Sequence, residues 1–276
     1  MGEPICRHLA LKTGSQVHAF DQDSTPLVRL ATHGVIAARS AREAAAQADV
    51  IFLSLPSGEV VERVCVEELL PLVRAGATVI DLSTSPVGLT RQLASQFEAH
   101  GVDYLDAPVA RTRAAAEAGT LSVTVGASES AFSRVRPLLA TFASEITHCG
   151  PVGCGQLVKI LNNMVLFQTV AALAEAKAIG ERSGVPVAQL FEALSKGSAD
   201  SFALRNHGMK AMATGDHPER AFPVSYACKD LDYALALAEE LGVDAAGARH
   251  VMQLFEKSQA TGDGTRYWPV LARLHD

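Results

Sequence analysis

Residues 49–57 read Asp-Val-Ile-Phe-Leu-Ser-Leu-Pro-Ser. The apolar positions are consecutive rather than alternating, which is what a strand covered on both faces requires. Pro56-Ser57 ends the run, and a helical pattern follows over 57–73. Upstream, Ser40 and Glu43 have capping-box spacing and open an Ala-rich helix through Ala48. Before them, a helix over 4–13 is stopped by Gly14, and Val17–Phe20 reads as a strand ending at Asp21. Downstream, the pattern predicts a strand at 77–82, a helix at 87–99, and strands at 102–106, 121–126 and 145–149, with a helix between the last two. Strand and helix alternating through short turns predict a doubly wound, mostly parallel α/β sheet.

The pattern changes after Gly150-Pro151. Residues 155–182 read as one long helix ending near Gly184-Val185-Pro186, followed by helical segments at 187–196, 201–213, 226–241 and 245–260. The chain is therefore expected to divide into a Rossmann-like α/β domain, 1–152, and an all-helical domain, 153–276.

Composition agrees with a folded protein and carries no sign of a nucleic-acid binder. Of 276 residues, 48% are hydrophobic, enough for sizeable cores, and the net charge is −6, so the basic excess of a nucleic-acid binder is absent. The apolar run from Met164 is interrupted by Gln168, Glu175 and Lys177, so no membrane partner is expected. The first residues lack a signal-peptide pattern, and the expected location is the cytoplasm. Five scattered cysteines without a CxxC pair are expected to be reduced, and nine histidines without HxxxH spacing predict no metal site.

A nucleotide-binding sheet of this type begins with a central strand and a Gly-rich turn. This chain opens inside that turn: Met1-Gly2 leads straight into a helix, with Gly2 where the third glycine of GxGxxG stands. The first strand and the first two glycines are expected to be missing, either because the start was assigned at the motif's own Met or because the chain is a shortened remnant.

Several residues carry candidate chemistry. Asp21 ends its strand where a carboxylate accepts hydrogen bonds from the adenosine ribose, with Asp23 as a nearby competitor. Such a carboxylate favours NAD and repels the extra phosphate of NADP. Leu55-Pro56-Ser57 and Ser83-Thr84-Ser85 follow buried strands, at the ends where open α/β sheets bind ligands; ordinary turn chemistry explains the same residues. Arg111 offers a planar fork for a carboxylate, sulfonate or phosphate, and Thr112 adds a hydroxyl at a helix start. Lys159 and Asn163, four apart, share one face of the long helix among Leu157, Val158, Ile160 and Leu161. Partial burial lowers a lysine pKa toward working pH and suits it to acid–base work, although a lysine snorkelling from a domain edge has the same surroundings. Lys229-Asp230-Leu231 supplies a second cation.

Met1-Gly2, Asp81-Leu82-Ser83-Thr84, Asp106-Ala107-Pro108-Val109, the Gly-x-x-x-Lys-x-x-Asn-Asn run from Gly155 to Asn163, and Lys229-Asp230-Leu231 resemble, in order and spacing, the motifs of the β-hydroxyacid dehydrogenase family. The resemblance implies NAD(P)-linked interconversion of a small hydroxy acid and its semialdehyde, with NAD favoured and NADP possible. It implies Lys159 as general acid/base; Ala110, Arg111, Thr112, Asn162, Asn163 and Lys229 as substrate contacts; and Met1, Gly2, Asp21, Leu55, Pro56, Ser83, Thr84 and Lys229 around the cofactor. Ala110-Arg111-Thr112 departs from the family's usual Ser-Gly-Gly, and its Arg-Thr pair is similar to the sulfolactaldehyde reductase branch. The apolar girth of the long helix predicts a homodimer or homotetramer. The alternative is a truncated, non-catalytic oligomeric homologue with impaired cofactor binding.

Overall fold

The computed structural model describes residues 1–219 and 221–276. Two compact units, Met1–Lys159 and Ile160–Asp276, share one long helix.

The first unit is a mixed α/β sheet. Helix α1 (Gly2–Lys12) leads through Gly14, at φ +70°, to β1 (His18–Ala19). Asp23 caps α2 (Ser24–Ala31) by accepting from Thr25 N at 2.9 Å, and β2 (Ile36–Ala37) pairs parallel with β1. Ser40 caps the short α3 (Ala41–Ala45), accepting from Glu43 N at 3.1 Å; Glu43 returns to Arg39 N at 2.7 Å, one residue before the partner of a standard capping box. Then come β3 (Val50–Leu53), α4 (Gly58–Arg63), β4 (Thr78–Asp81), α5 (Val87–Glu98), β5 (Asp103–Asp106), β6 (Val109–Ala110), α6 (Arg113–Ala118), β7 (Leu121–Gly126), α7 (Glu129–Leu139) and β8 (Ala143–Gly150).

Strands β3, β4 and β5 run parallel in consecutive register, from Val50↔Thr78 and Thr78↔Asp103. β5 and β6 follow one another along β7, both antiparallel to it and separated at Ala107-Pro108, while β8 pairs parallel with β7. The sheet is thus mixed, with its parallel portion first. Side chains alternate across it: Val79 and Tyr104 enter a core with Val61, Leu93 and Phe97, whereas Ile80 and Leu105 enter another with Ile5, Leu9, Val123 and Phe142. That two-sided burial is why residues 50–53 carry no polar alternation.

The β1–β2 pair is a separate sheet. Among the described residues, β1 pairs only with β2 and β3 only with β4, so these strands form two sheets rather than one.

Two helical expectations are corrected in detail. The 57–73 helix is α-helical only to Arg63 and widens into π turns over Val64–Leu69, with Leu70 N bonded to Cys65 O at 2.9 Å. The 201–213 helix is a π segment, Leu204–Met212, closed by Ala213 N to Gly208 O at 2.9 Å.

Helix α8 (Cys154–Arg182) continues into the second unit, where α9 (Val187–Leu194), α10 (Val224–Glu240), α11 (Ala246–Ala260) and a 3₁₀ tail (Trp268–His275) follow. Phe167 of α8 meets Trp268 at 4.8 Å and Phe255 at 5.4 Å between ring centroids, both edge-on. By length and mean hydropathy alone α8 could cross a membrane. Its Phe167 and Val170, however, are fully buried in the protein.

Candidate active site

The candidate residues of the first unit lie where strands end. Gly2 opens α1 against the exit of β3: a Cβ there would come within 3.2 Å of Ser54 Cβ and Oγ. Met1, the cap residue of α1, makes no side-chain capping bond to the first backbone N–H groups of that helix. Asp21 is exposed just after β1, and its Oδ1 accepts from Asp23 N at 2.9 Å. Asp23 is engaged in capping α2, and Asp21 is the carboxylate nearer the end of β1. An uncapped helix start, a close-packed glycine and an outward carboxylate after the next strand fit a dinucleotide.

The loops after β3 and β4 are tied together. Leu55 N donates to Ser83 Oγ at 2.9 Å, and Pro56 is exposed beside it. Asp81, fully buried, accepts from Ser83 N at 2.9 Å and from Ser85 Oγ at 3.0 Å. Burial pushes its carboxyl above the usual range, against the pull of these donors. Thr84, half-buried, is the central residue of the loop they shape.

Asp106 does the same at the exit of β5. It accepts from Gly153 N and Gln156 N, each at 2.7 Å, and so holds the first turn of α8. Burial raises its pKa to about 6 despite those two backbone donors. The joint is tight: a Cβ on Gly155 would lie 2.5 Å from Thr124 O and 2.8 Å from Asp106 Oδ2. Fully buried Gln156 donates to Ser83 O at 2.8 Å and accepts from Ser85 N at 3.1 Å. Lys159 follows one turn later, half-buried.

Ala110 ends β6 opposite Ser122. Arg111 has φ +85°, the left-handed region that side chains avoid, and its Nη1 donates to Thr120 O at 2.7 Å and Ser144 Oγ at 3.1 Å. Thr112 caps α6, accepting from Ala115 N at 3.3 Å. Arg111 and Thr112 are thus both engaged by their own loop, with the Arg side chain exposed.

In the second unit, buried Asn163 donates to Asp230 Oδ2 at 2.7 Å, and Asn162, exposed, donates to Asn163 Oδ1 at 3.3 Å. Lys229 Nζ bonds Asp230 Oδ1 at 2.7 Å and lies 4.8 Å from the centroid of the Tyr233 ring. Asp230 therefore gathers Asn163 and Lys229 at its two oxygens.

Sequence reading singled out Lys159 and the Ser83-Thr84 loop but not Gln156 or the carboxylates of Asp81, Asp106 and Asp230 that fix these groups. The signal for Gln156 was present: a lone amide flanked by Gly155, Leu157 and Val158 on an otherwise apolar turn.

Comparison with known proteins matches residues 1–150 to the NAD binding domain of 6-phosphogluconate dehydrogenase, and residues 153–268 to the model described as NAD-binding of NADP-dependent 3-hydroxyisobutyrate dehydrogenase. The 2-(hydroxymethyl)glutarate dehydrogenase of Eubacterium barkeri is 35% identical over 266 residues, 96% of this chain and 88% of that protein. A probable 3-hydroxyisobutyrate dehydrogenase of Mycobacterium tuberculosis is 34% identical over 265 residues, 94% of this chain and 90% of that one. The solved structure of Mycobacterium tuberculosis 3-hydroxyisobutyrate dehydrogenase with L-serine superposes with a TM-score of 0.90 at 33% identity, over 99% of this chain and 95% of that chain. With both halves matched and these relatives alike over nearly their whole length, the chain belongs to the β-hydroxyacid dehydrogenase family of NAD(P)-dependent oxidoreductases.

Proposed function

We propose that the protein interconverts a small β-hydroxy acid, or its sulfonate analogue, and the corresponding semialdehyde, with Lys159 as general acid/base. The observation that carries this reading is the anchoring of Lys159: a half-buried amine on a helix whose first turn is clamped by buried Asp106 at a strand exit. The named substrates of the relatives, 2-(hydroxymethyl)glutarate and 3-hydroxyisobutyrate, and the L-serine held in the solved structure all carry a hydroxyl β to a carboxylate.

When bound, the nicotinamide accepts or delivers the hydride. Lys159 takes the hydroxyl proton as the alcohol is oxidised, and as an ammonium returns it to the nascent alkoxide in the reverse direction. That assistance is worth about 10²–10⁴-fold in rate. Asn163 and Lys229 orient the acid, and Arg111 and Thr112 meet its anionic group. The helix start at Met1-Gly2 and the loops at Leu55-Pro56 and Ser83-Thr84 face the dinucleotide, with Asp21 on its ribose.

The exposed α8 side chains Val158, Leu161, Val165 and Ile179 support self-assembly into a homodimer or homotetramer. Light scattering that finds a monomer at micromolar concentration contradicts this.

Turnover of a panel of small β-hydroxy acids and sulfonates with NAD⁺ and NADP⁺, for wild type and Lys159→Met, tests the reading. The variant should keep NADH binding and lose about 10²-fold or more in kcat. Turnover within about threefold of wild type removes Lys159 from its role. The separated β1–β2 pair favours a second reading, a homologue with impaired cofactor binding. NADH titration decides between them, because that homologue shows no saturable binding.

A further inference from the structure

The Gln156 side chain is fully buried and bonds one loop through both ends of its amide. Its Nε2 donates to Ser83 O at 2.8 Å, and its Oε1 accepts from Ser85 N at 3.1 Å. These partners settle the amide's orientation, since a backbone carbonyl can only accept and an N–H can only donate. The same residue's backbone N–H donates to Asp106 Oδ2 at 2.7 Å. Gln156 thus stands at the meeting point of three strand exits. Asp106 ends β5. The Ser83–Ser85 loop follows β4, shaped by Asp81. Ser83 Oγ in turn accepts from Leu55 N, after β3, at 2.9 Å. Lys159 is three residues further along α8, about 4.5 Å along the helix axis and on an adjacent face.

We propose that Gln156 is a positioning residue that couples the dinucleotide-facing loops to Lys159, so that cofactor seated on the Ser83–Ser85 loop sets the helical turn that presents the amine. The inference rests on the reading of Lys159 and that loop given above. A turn held from one side by Asp106 and from the other by the loop has little freedom to rotate. Releasing the loop side leaves the turn anchored but unaligned. The coupling also runs the other way, since a fixed helix turn keeps the loop in the shape the cofactor meets.

Gln156→Met keeps the length and removes both amide bonds. Kinetics are referred to the number of NADH-binding sites, so that unfolded molecules do not count. Leu139→Ala, a core truncation in the same unit outside this network, is the control for lost stability alone. The expected result is a rise of about tenfold in the NADH Kd and a fall of about tenfold or more in kcat per site, with a displaced pH midpoint of kcat, none of which the Leu139→Ala control shows.

Where Gln156→Met fails to fold, Gln156→Glu replaces it. A protonated glutamic acid repeats both bonds and a carboxylate loses one, so its kcat relative to wild type should climb at least about threefold from about pH 8 to about pH 6. Wild-type kcat and pH midpoint per site in Gln156→Met, or a flat ratio in Gln156→Glu, overturn the coupling. Lys159→Met assayed in parallel separates the two claims: its retained turnover sinks the lysine reading, whereas its lost turnover beside a normal Gln156→Met sinks only this inference.

Discussion

Asn163 Nδ2 donates to Asp230 Oδ2 at 2.7 Å, while Lys229 holds the other oxygen of the same carboxylate, also at 2.7 Å. Asp230 is 4% exposed, and these two side chains meet its two oxygens. Two residues that the sequence assigns separately to the substrate therefore form one unit with a third, and a change in any of them disturbs the other two.

Asn163→Asp tests this directly. It sets a second carboxylate at hydrogen-bond distance from a buried one, and the two cannot both be ionised without a large cost. The variant should lose about 3 kcal/mol of stability near pH 7.5 in urea denaturation. Its deficit relative to wild type should shrink toward about pH 5.5, because one shared proton restores the bond. A deficit that is the same at both pH values means that the two side chains do not interact.

Arg111 sits at φ +85° with Nη1 on Thr120 O and Ser144 Oγ. Two substitutions separate backbone strain from side-chain function. Arg111→Ala and Arg111→Gly both delete the guanidinium, but only glycine relieves the left-handed backbone, so Arg111→Gly should be the more stable by about 1 kcal/mol. Both should raise KM for the anionic substrate about tenfold or more and change kcat little, because a binding contact is lost equally from ground and transition states. Unchanged KM in both variants confines Arg111 to bracing its own loop.

How far these features could be read in advance depended on distance along the chain. The strand at 50–53 was legible because burial on both faces leaves an unbroken apolar signature. Helix α2 and the two-residue β2 were not, since Ile36 and Ala37 are both exposed and carry no periodic pattern. The π turns after Arg63 follow from tertiary packing, which a 3.6-residue period cannot express. Lys159, Asn163 and Lys229 stood out as polar residues in ordered motifs. Gln156 did not, because its partners lie 73 and 71 residues away and only the fold brings them together.

Asp21 stands alone after β1, as its neighbour Asp23 caps α2. A carboxylate there accepts from ribose hydroxyls and repels a 2′-phosphate, so the enzyme should prefer NADH to NADPH. Even at a surface dielectric, two unit charges about 4 Å apart repel by at least about 1 kcal/mol. Asp21→Ser should therefore raise the NADPH-to-NADH ratio of kcat/KM about tenfold, read from steady-state assays with both cofactors. An unchanged ratio places the ribose elsewhere.

Acid should weaken the protein through two histidines of the second unit. His207 and His217 are each 5% exposed, and burial pushes both down to about 4 from the usual 6.5. The folded state thus refuses protons that the unfolded chain takes up. Their contribution is complete above about pH 6.5 and is lost as the pH falls toward about 4, by as much as about 3 kcal/mol each. Asp106 and Asp81 act with the opposite sign: burial raises both carboxyls, Asp106 to about 6, so their protonation in acid returns part of the loss. The histidines and the buried carboxyls thus oppose one another, and substituting one histidine isolates its share. Urea denaturation at about pH 7 and about pH 4.5 reads the net change in each protein. Between those pH values His217→Asn should lose about 2 to 3 kcal/mol less stability than wild type, because it removes one depressed site and leaves every other group in place. The same change in both proteins would mean that the His217 imidazole takes up protons as readily in the fold as in the open chain.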